Sequence, residues 1–289
     1  MDAGLSLEVF TPRSAAGVNE LLARLGAFAA IGPAFIGVSG TSPSALAIIE
    51  SIKRVHCVRP MLHLPRTELT EESAISLVES ALRLGTRDLL VLGGAPGSMQ
   101  PPAVGGGFGS ATELVTFLKR RFGDRLRVGV CGYPRESRGE CDSYDADLEQ
   151  LAAQVAAGAE LVLSLPTFDA TALMSFAADA KRAGVACPVK AGLLPLTSDM
   201  RRLCASLHVT PPDNLAKQID DAAARGGEAA VRRIADAHLA SLVSDLIAAG
   251  GHPPHVYTLN EQAALASLAA AGYTPLKHRV GQRPAALGA

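Results

Sequence analysis

The feature that most limits how this chain can fold is the regular alternation of short apolar runs with helix-like segments. Eight such runs occur in 289 residues, separated by alanine- and leucine-rich segments with apolar residues at helical spacing. Strands that alternate with helices indicate parallel pairing with crossover connections. Eight units in a chain of this length favour a closed barrel over an open sheet. The runs cover residues 6–10, 34–39, 59–64, 88–94, 127–133, 161–168, 187–194 and 255–260.

The sequence therefore predicts an α/β protein consisting of a single (β/α)8 TIM barrel that spans residues 1–289. Residues 211–214 (PPDN) indicate a turn and a helix start, and a break at Gly226-Gly227 separates the helical segments 217–224 and 228–249. This pattern adds an extra helix before the last strand. We expect the tail, residues 279–289, to be frayed.

Composition and charge exclude several classes of partner. The net charge is −1 and the isoelectric point about 6.7, which does not favour nucleic acid or a membrane surface. No apolar run reaches the roughly 18 residues that a membrane span needs, and the first residues do not resemble a signal peptide. The five cysteines lack CxxC spacing, so we expect free thiols in a reducing cytoplasm and no metal site.

A carboxylate in the middle of the first strand is the strongest candidate for chemistry. In the sequence SLEVF, alternation directs Leu7 and Val9 toward the helices and Glu8 into the barrel. Burial raises the pKa of a carboxyl group and suits it to delivering a proton. The alternative is a structural ion pair with Arg13 or a neighbouring lysine.

Other candidate residues stand where later strands end. His63 ends the third strand, where a lone histidine is more often a hydrogen-bonded structural residue than a catalyst. Gly93 and Gly94 end the fourth strand, and a long Gly- and Pro-rich loop over residues 95–109 follows. Long loops of this kind are often functional, so we expect either close approach of a ligand or a mobile lid. The glycines 105–107 lie too far from the strand to form a Rossmann fingerprint.

The fifth and sixth strands also end in polar or aromatic residues. Tyr133 follows the fifth strand, and Thr167, Phe168 and Asp169 follow the sixth. Such positions favour lining a site at the carboxyl ends of the strands. Asp169 equally suits a helix N-cap, because the residues after it indicate a helix start.

Taken in order, these strand ends resemble the methylenetetrahydrofolate reductase family. The resemblance extends from about residue 5 to residue 262 and does not depend on one motif. It is carried by SLEVFTPR (6–13), FIGVS (35–39), HLPRTELT (63–70), GVCGYPRES (129–137), AAQVAAGAELVLSLPTFD (152–169), AGLLPLTS (191–198) and HVYTLN (255–260).

Four places depart from the pattern of the flavin-containing members of that family. Those members carry L-R-G-D at the end of the fourth strand, where this chain has Leu92-Gly93-Gly94-Ala95. The family's T-Q on the sixth strand is Ser164-Leu165, its lysine before the A-G-A stretch is Gln154, and its E-x-H-P after Tyr133-Pro134 is replaced by residues 135–138, RESR. The chain resembles a divergent, flavin-independent branch of this family.

The resemblance implies reduction of 5,10-methylenetetrahydrofolate to 5-methyltetrahydrofolate by direct hydride transfer from NADH or NADPH, with FAD absent. The expected partners are therefore small molecules, a tetrahydrofolate derivative and a nicotinamide dinucleotide. The sequence does not decide between the two nicotinamides, and NADH is preferred. It implies Glu8 as the catalytic acid; Ser39, His63, Gly94, Tyr133 and Asp169 as cofactor-binding residues; and Thr167, Phe168 and Tyr257 as substrate-binding residues.

Two alternatives stay open at this point. One is an FAD-dependent reductase of the same family whose flavin contacts have been replaced. The other is a non-catalytic relative that binds folate or a nucleotide. A carboxylate kept in an apolar strand, Glu8, argues against the second alternative.

Overall fold

Eight parallel strands close into a barrel in chain order, with β1 paired to both β2 and β8. The computed structural model describes residues 4–94, 107–137 and 139–273. The strands are β1 (Ser6–Phe10), β2 (Ile36–Ser39), β3 (Pro60–Pro65), β4 (Asp88–Leu92), β5 (Arg127–Gly132), β6 (Leu161–Pro166), β7 (Val189–Leu193) and β8 (His255–Tyr257).

Helices follow the strands and surround the barrel. They are α1 (Ala15–Ala30), α2 (Pro43–Glu50), α3 (Glu71–Arg83), α4 (Ala111–Phe122), α5 (Tyr144–Ala156), α6 (Ala170–Arg182), α7 (Met200–Ser206), α8 (Asp213–Ala248) and α9 (Ala263–Ala270). A π-helical turn (Ser51–Val55) continues α2, and short 3-10 turns occupy Arg66–Glu68 and Gly123–Arg125. No helix in the described ranges has both the length and the apolar character to cross a membrane.

The barrel and the extra helix before the last strand are confirmed. The connection from β7 to β8 contains α7 and the long α8, which bends at Gly227 (φ 59°, ψ −160°) where the sequence predicted a break. The last strand is shorter than predicted: it ends at Tyr257, because Leu259 and Asn260 both have positive φ. Most of the predicted loop (95–106) and the predicted tail (279–289) lie outside the described residues.

Side-chain alternation divides the core into two layers. Leu7 and Val9 belong to the large apolar layer between strands and helices, whereas the barrel interior holds a smaller cluster. Because successive residues of a strand point to opposite faces, this arrangement directs Ser6 and Glu8 inward, which confirms the direction predicted for Glu8. The interior cluster comprises Phe35, Met61, Leu90, Cys131, Leu161 and Leu163.

Buried charges close the amino-terminal end of the barrel. Asp88, at the start of β4, is ion-paired with Arg59 (Nε–Oδ2 3.1 Å) and with Arg127 (Nε–Oδ1 2.6 Å). Lys190 on β7 donates to the carbonyl of Gly4 at 2.6 Å. This floor leaves the opposite end, where the strands finish, as the place for a site, as is usual in such barrels.

Several helices begin with a side-chain cap close to that carboxyl-terminal end. Ser14, Thr70, Ser110 and Ser143 each accept a backbone N–H from the first turn of the following helix. Each cap of this type stabilises a helix by about 1 kcal/mol. The caps fix where the loops around the barrel mouth end.

Candidate active site

Glu8 lies inside the barrel between two histidines. Its Oε1 is 3.6 Å from Nδ1 of His63, and its Oε2 is 3.4 Å from Nε2 of His255. Its side chain is almost fully buried, with 5% of the residue exposed. The predicted inward direction is therefore confirmed, and the carboxyl group contacts imidazoles instead of Arg13, whose side chain is exposed.

The surroundings favour the protonated form of this carboxyl group. Burial raises the pKa of Glu8 above its ordinary value, and the nearby His63 offsets only part of the rise. Burial also lowers the pKa of His63, and burial together with Lys190 lowers the pKa of His255 to about 3. Both imidazoles thus favour the neutral form at neutral pH, so neither supplies the full positive charge that would hold Glu8 as a carboxylate. A protonated acid beside neutral hydrogen-bonding groups can deliver a proton to a substrate.

His255 continues the hydrogen-bonded chain beyond Glu8. Its Nδ1 is 2.9 Å from the hydroxyl oxygen of Ser6, one inward position earlier on β1. The ring stacks on Phe35 with centroids 5.7 Å apart, and it meets the ring of Tyr257 edge-on at 5.3 Å. These contacts fix the imidazole against Glu8.

Two glycines provide the space that these rings need. A Cβ atom at Gly37, the β2 partner of Glu8, would lie 2.5 Å from Nε2 of His63. A Cβ atom at Gly192 would lie 2.8 Å from Cε2 of the Tyr257 ring. The Tyr257 hydroxyl donates to the carbonyl of Ser164 at 3.1 Å. Small residues on β2 and β7 therefore allow large polar rings in the interior.

A second polar cluster lies where β4 and β5 end. The hydroxyl of Tyr133 donates to Oε1 of Glu140 at 3.3 Å, and Nε of Arg66 donates to Oε2 at 3.3 Å. The N–H of Gly94 also donates to this carboxyl group. Glu140 and Arg66 are buried, at 2% and 3% exposed. The cluster joins the ends of three neighbouring strands.

Cys131 lies between the two carboxyl groups. Burial raises the pKa of its thiol, and Glu8 and Glu140 both add to the rise. The thiol is therefore not a reactive thiolate. In the described part of the chain, no group of three or more His, Cys, Asp or Glu side chains is arranged to hold a metal ion.

The predicted residues after β6 form their own local structure. Oγ1 of Thr167 donates to the carbonyl of Asp169 at 3.1 Å, and Oδ1 of Asp169 accepts the N–H of Thr171 at 2.6 Å. Asp169 is thus the N-cap of α6, the alternative that the sequence left open. Phe168 packs in an apolar cluster with Tyr257. Binding of cofactor or substrate by these three residues stays a prediction.

Ser39 ends β2 beside the end of β1. Its carbonyl accepts the N–H of Thr11 at 3.3 Å, and the hydroxyl of Thr11 also donates to it. The Ser39 side chain is partly exposed at the mouth of the barrel. Its predicted role in cofactor binding is compatible with this position and stays a prediction.

A cavity of about 490 Å³ opens beside the mouth, between the residues after β7, the helices α7 and α8, and the residues after β8. Its wall includes Thr258, whose N–H and hydroxyl donate to the carbonyl of Glu8 at 3.2 and 2.6 Å. Charged groups of both signs line it, among them Arg202, Glu228 and Glu261. The cavity adjoins the main chain of Glu8, not its side chain.

The structure thus brings Glu8, His63 and Tyr257 together, and it places Tyr133 and Gly94 in the neighbouring cluster. Sequence reasoning missed four residues of these clusters. The alternation that selected Tyr257 also selects His255, and the alternation that selected Glu8 also selects Ser6. Arg66 directly follows β3, as Tyr133 directly follows β5, so its strand-end position is also a signal. No local pattern indicates Glu140, which lies in the connection between β5 and α5.

The chain is similar to known proteins over most of its length. The family model described as methylenetetrahydrofolate reductase matches residues 2–271. The chain is 28% identical to methylenetetrahydrofolate reductase (NADH) 1 of Zea mays, over 88% of this chain and 46% of that protein. It is 27% identical to 5,10-methylenetetrahydrofolate reductase of Escherichia coli K12, over 89% of this chain and 86% of that protein.

The chain spans about half the length of the plant and yeast relatives that it matches. Among solved structures, 2,3-dimethylmalate lyase superposes with a TM-score of 0.51 at 12% identity, covering 93% of this chain and 78% of that one, which is a likeness of fold alone. The match of the family model to nearly the whole barrel, including Glu8, identifies the chain as a member of the methylenetetrahydrofolate reductase family.

Proposed function

We propose that this protein reduces 5,10-methylenetetrahydrofolate to 5-methyltetrahydrofolate, with hydride transferred directly from NADH and without flavin. The observation that carries the proposal is the buried carboxyl group of Glu8 between two neutral histidines. Membership of the reductase family supports the reaction.

Reduction of methylenetetrahydrofolate to methyltetrahydrofolate consumes one proton and one hydride. Glu8 delivers its proton to N10 of the folate, the bond between N10 and the methylene carbon breaks, and an N5 iminium cation forms. The hydride of NADH then adds to the methylene carbon, giving the N5-methyl group and NAD⁺. The ionised Glu8 then stabilises the cation, and it takes up a proton from water after the products leave.

Direct transfer requires that both small molecules occupy the mouth at once. The protein then contributes mainly by holding the hydride donor and the iminium carbon in near-attack geometry. The sequence predicts Ser39, His63, Gly94, Tyr133 and Asp169 for the nicotinamide, and Thr167, Phe168 and Tyr257 for the folate.

An observation at the end of β4 supports the absence of flavin. The flavin-containing pattern places an arginine where this chain has Gly93, and a Cβ atom there would lie 1.5 Å from Oε1 of Glu140. The residues present therefore do not fit a flavin contact made by a side chain at this position. The name of the Zea mays relative includes NADH and that of a Caenorhabditis elegans relative includes NADPH, so the names support a nicotinamide dinucleotide, for which we propose NADH.

The test is turnover of the purified protein with methylenetetrahydrofolate and NADH, combined with its absorption spectrum. The proposal expects NADH oxidation that depends on the folate, in a protein without flavin absorption. Oxidation that requires added FAD, or a stoichiometric yellow cofactor, supports the flavin-dependent alternative. A protein that binds folate without turnover supports the non-catalytic alternative.

A further inference from the structure

The end of β4 is filled by a side chain that comes from a different part of the chain. The three atoms nearest to a Cβ atom at Gly93 all belong to Glu140: Oε1 at 1.5 Å, Cδ at 2.0 Å and Oε2 at 2.7 Å. Gly93 does not have a positive φ, so its backbone conformation does not require glycine. Glycine is required at position 93 because the Glu140 carboxyl group takes the place of its side chain.

The contacts of Glu140 orient a residue of the mouth. Nε of Arg66 donates a hydrogen bond to Oε2 of Glu140 at 3.3 Å. Oε1 of Glu140 accepts a hydrogen bond from the hydroxyl of Tyr133, also at 3.3 Å. Arg66 is itself tied to the carbonyl of Phe108 at 3.1 Å. Arg66 and the Gly94 N–H both act against the effect of burial on the Glu140 pKa. The Tyr133 hydroxyl is thus hydrogen-bonded to a carboxylate that forms a buried ion pair with Arg66.

Stability alone does not account for this arrangement. A buried ion pair is often no more stabilising than apolar side chains of the same volume, because both charges lose their hydration. Glycine at position 93 also has a larger loss of backbone entropy on folding than alanine. An arrangement that combines these features, and that fixes a hydroxyl group at the mouth, indicates a role in the site.

We propose that Glu140 is a positioning residue of this active site: held by Arg66, it replaces a side chain at the end of β4 and orients Tyr133 toward the nicotinamide. This inference rests on the proposed function. It assigns to the connection between β5 and α5 the shaping of the mouth beside the end of β4, where the flavin-containing pattern has an arginine and this chain has Gly93.

The first experiment is a double-mutant cycle with Glu140→Gln and Tyr133→Phe. If Glu140 acts through Tyr133, each single variant should raise KM for NADH about tenfold with a smaller change in kcat, and the double variant should be no worse than either. The dissociation constant for NADH, measured by fluorescence without turnover, should follow KM. Independent, additive effects would overturn the proposal.

The second experiment tests the steric part. Gly93→Ala should displace Glu140 and raise KM for NADH as Glu140→Ala does. The double variant Gly93→Ala/Glu140→Ala should then match Glu140→Ala alone, because the added methyl group no longer meets the carboxyl group. A double variant that is worse than both single variants contradicts the assignment. Circular dichroism and thermal unfolding identify variants that fail to fold, in which case Glu140→Gln carries the test.

Glu160→Gln is the matched control. It makes the same chemical change in a carboxylate that is ion-paired with Lys119 at 2.8 Å, just before β6 at the amino-terminal end of the barrel. KM for NADH should be unchanged in this variant. If Glu140→Gln lowers the melting temperature but leaves KM for NADH unchanged, Glu140 is merely structural. If the unmodified protein does not reduce methylenetetrahydrofolate, the proposed function is wrong. The dissociation constants of NADH for the variants of the double-mutant cycle then still test whether Glu140 positions Tyr133.

Discussion

Asn260 joins the end of β8 to the end of β1 by a pair of hydrogen bonds to one residue, Phe10. Its Oδ1 accepts the N–H of Phe10 at 2.8 Å, and its Nδ2 donates to the carbonyl of Phe10 at 2.7 Å. Asn260 adopts a left-handed conformation, with φ 61°. The bond pair closes the barrel two residues beyond Glu8, so the position of the candidate acid depends on it.

The effect of Asn260 can be separated into two parts. Asn260→Gly keeps the left-handed conformation and loses both hydrogen bonds, which should lower the free energy of unfolding by about 1–3 kcal/mol. Asn260→Ala also loses the bonds and adds a conformational cost of roughly 1 kcal/mol, so it should be the less stable of the two. Urea unfolding measures both values. Equal stability of the two variants would contradict the conformational part.

Glu8→Gln should preserve the fold and remove the proton that opens the folate ring. The amide has almost the same shape as the acid, so the melting temperature should change little. We expect turnover to fall by at least about 10²-fold, as when a general acid is removed. Steady-state rates measure this, with Glu160→Gln as the control carboxylate. A variant within about threefold of the unmodified protein would exclude Glu8 as the acid.

The proposed direct transfer predicts a sequential kinetic pattern. NADH cannot be oxidised in a separate half-reaction when no flavin stores the hydride, so initial-rate lines at several folate concentrations should intersect. Deuterium from the reduced nicotinamide should appear in the methyl group without exchange with water. Parallel lines, or loss of the label to water, would show that an intermediate carrier takes part.

His255 should make the folded protein sensitive to acid. Its pKa is lowered in the folded protein to about 3 from an ordinary value of 6.5, so the unfolded chain binds its proton first as the pH falls. Stability should therefore decrease progressively between pH 6.5 and 3, by on the order of a few kcal/mol. His255→Asn does not titrate, so its melting temperature should depend less steeply on pH in this window. His63, whose pKa is also lowered, adds to the loss of stability in acid, whereas Glu8, whose pKa is raised, acts in the opposite direction. Curves of equal slope would contradict the assignment.

The sequence predicted the parts of this protein that depend on local pattern. Alternation in SLEVF correctly directed Glu8 inward, and Gly226-Gly227 correctly marked the bend in α8. The pairing of Glu8 with His255 joins residues 247 positions apart, and that of Arg66 with Glu140 joins residues 74 apart. Such contacts are set by barrel closure and by loop paths, which leave no periodic signal. Asp169 differs from these pairs because its local pattern was compatible with two roles, a helix N-cap and a cofactor-binding residue, and the pattern alone did not decide between them.

The contact between Gly93 and Glu140 also restricts how this sequence can change over generations. Any other residue at position 93 would place its Cβ atom 1.5 Å from Oε1 of Glu140. A single substitution at Glu140 instead removes the carboxylate that faces the buried guanidinium of Arg66. Replacing Gly93 by a residue with a side chain therefore requires either an intermediate protein of lower fitness or a simultaneous substitution of Glu140. We expect the two positions to covary among related sequences. Barrels with Gly93 and Glu140, and barrels with a side chain at the end of β4, should then be two separate groups that single substitutions do not connect.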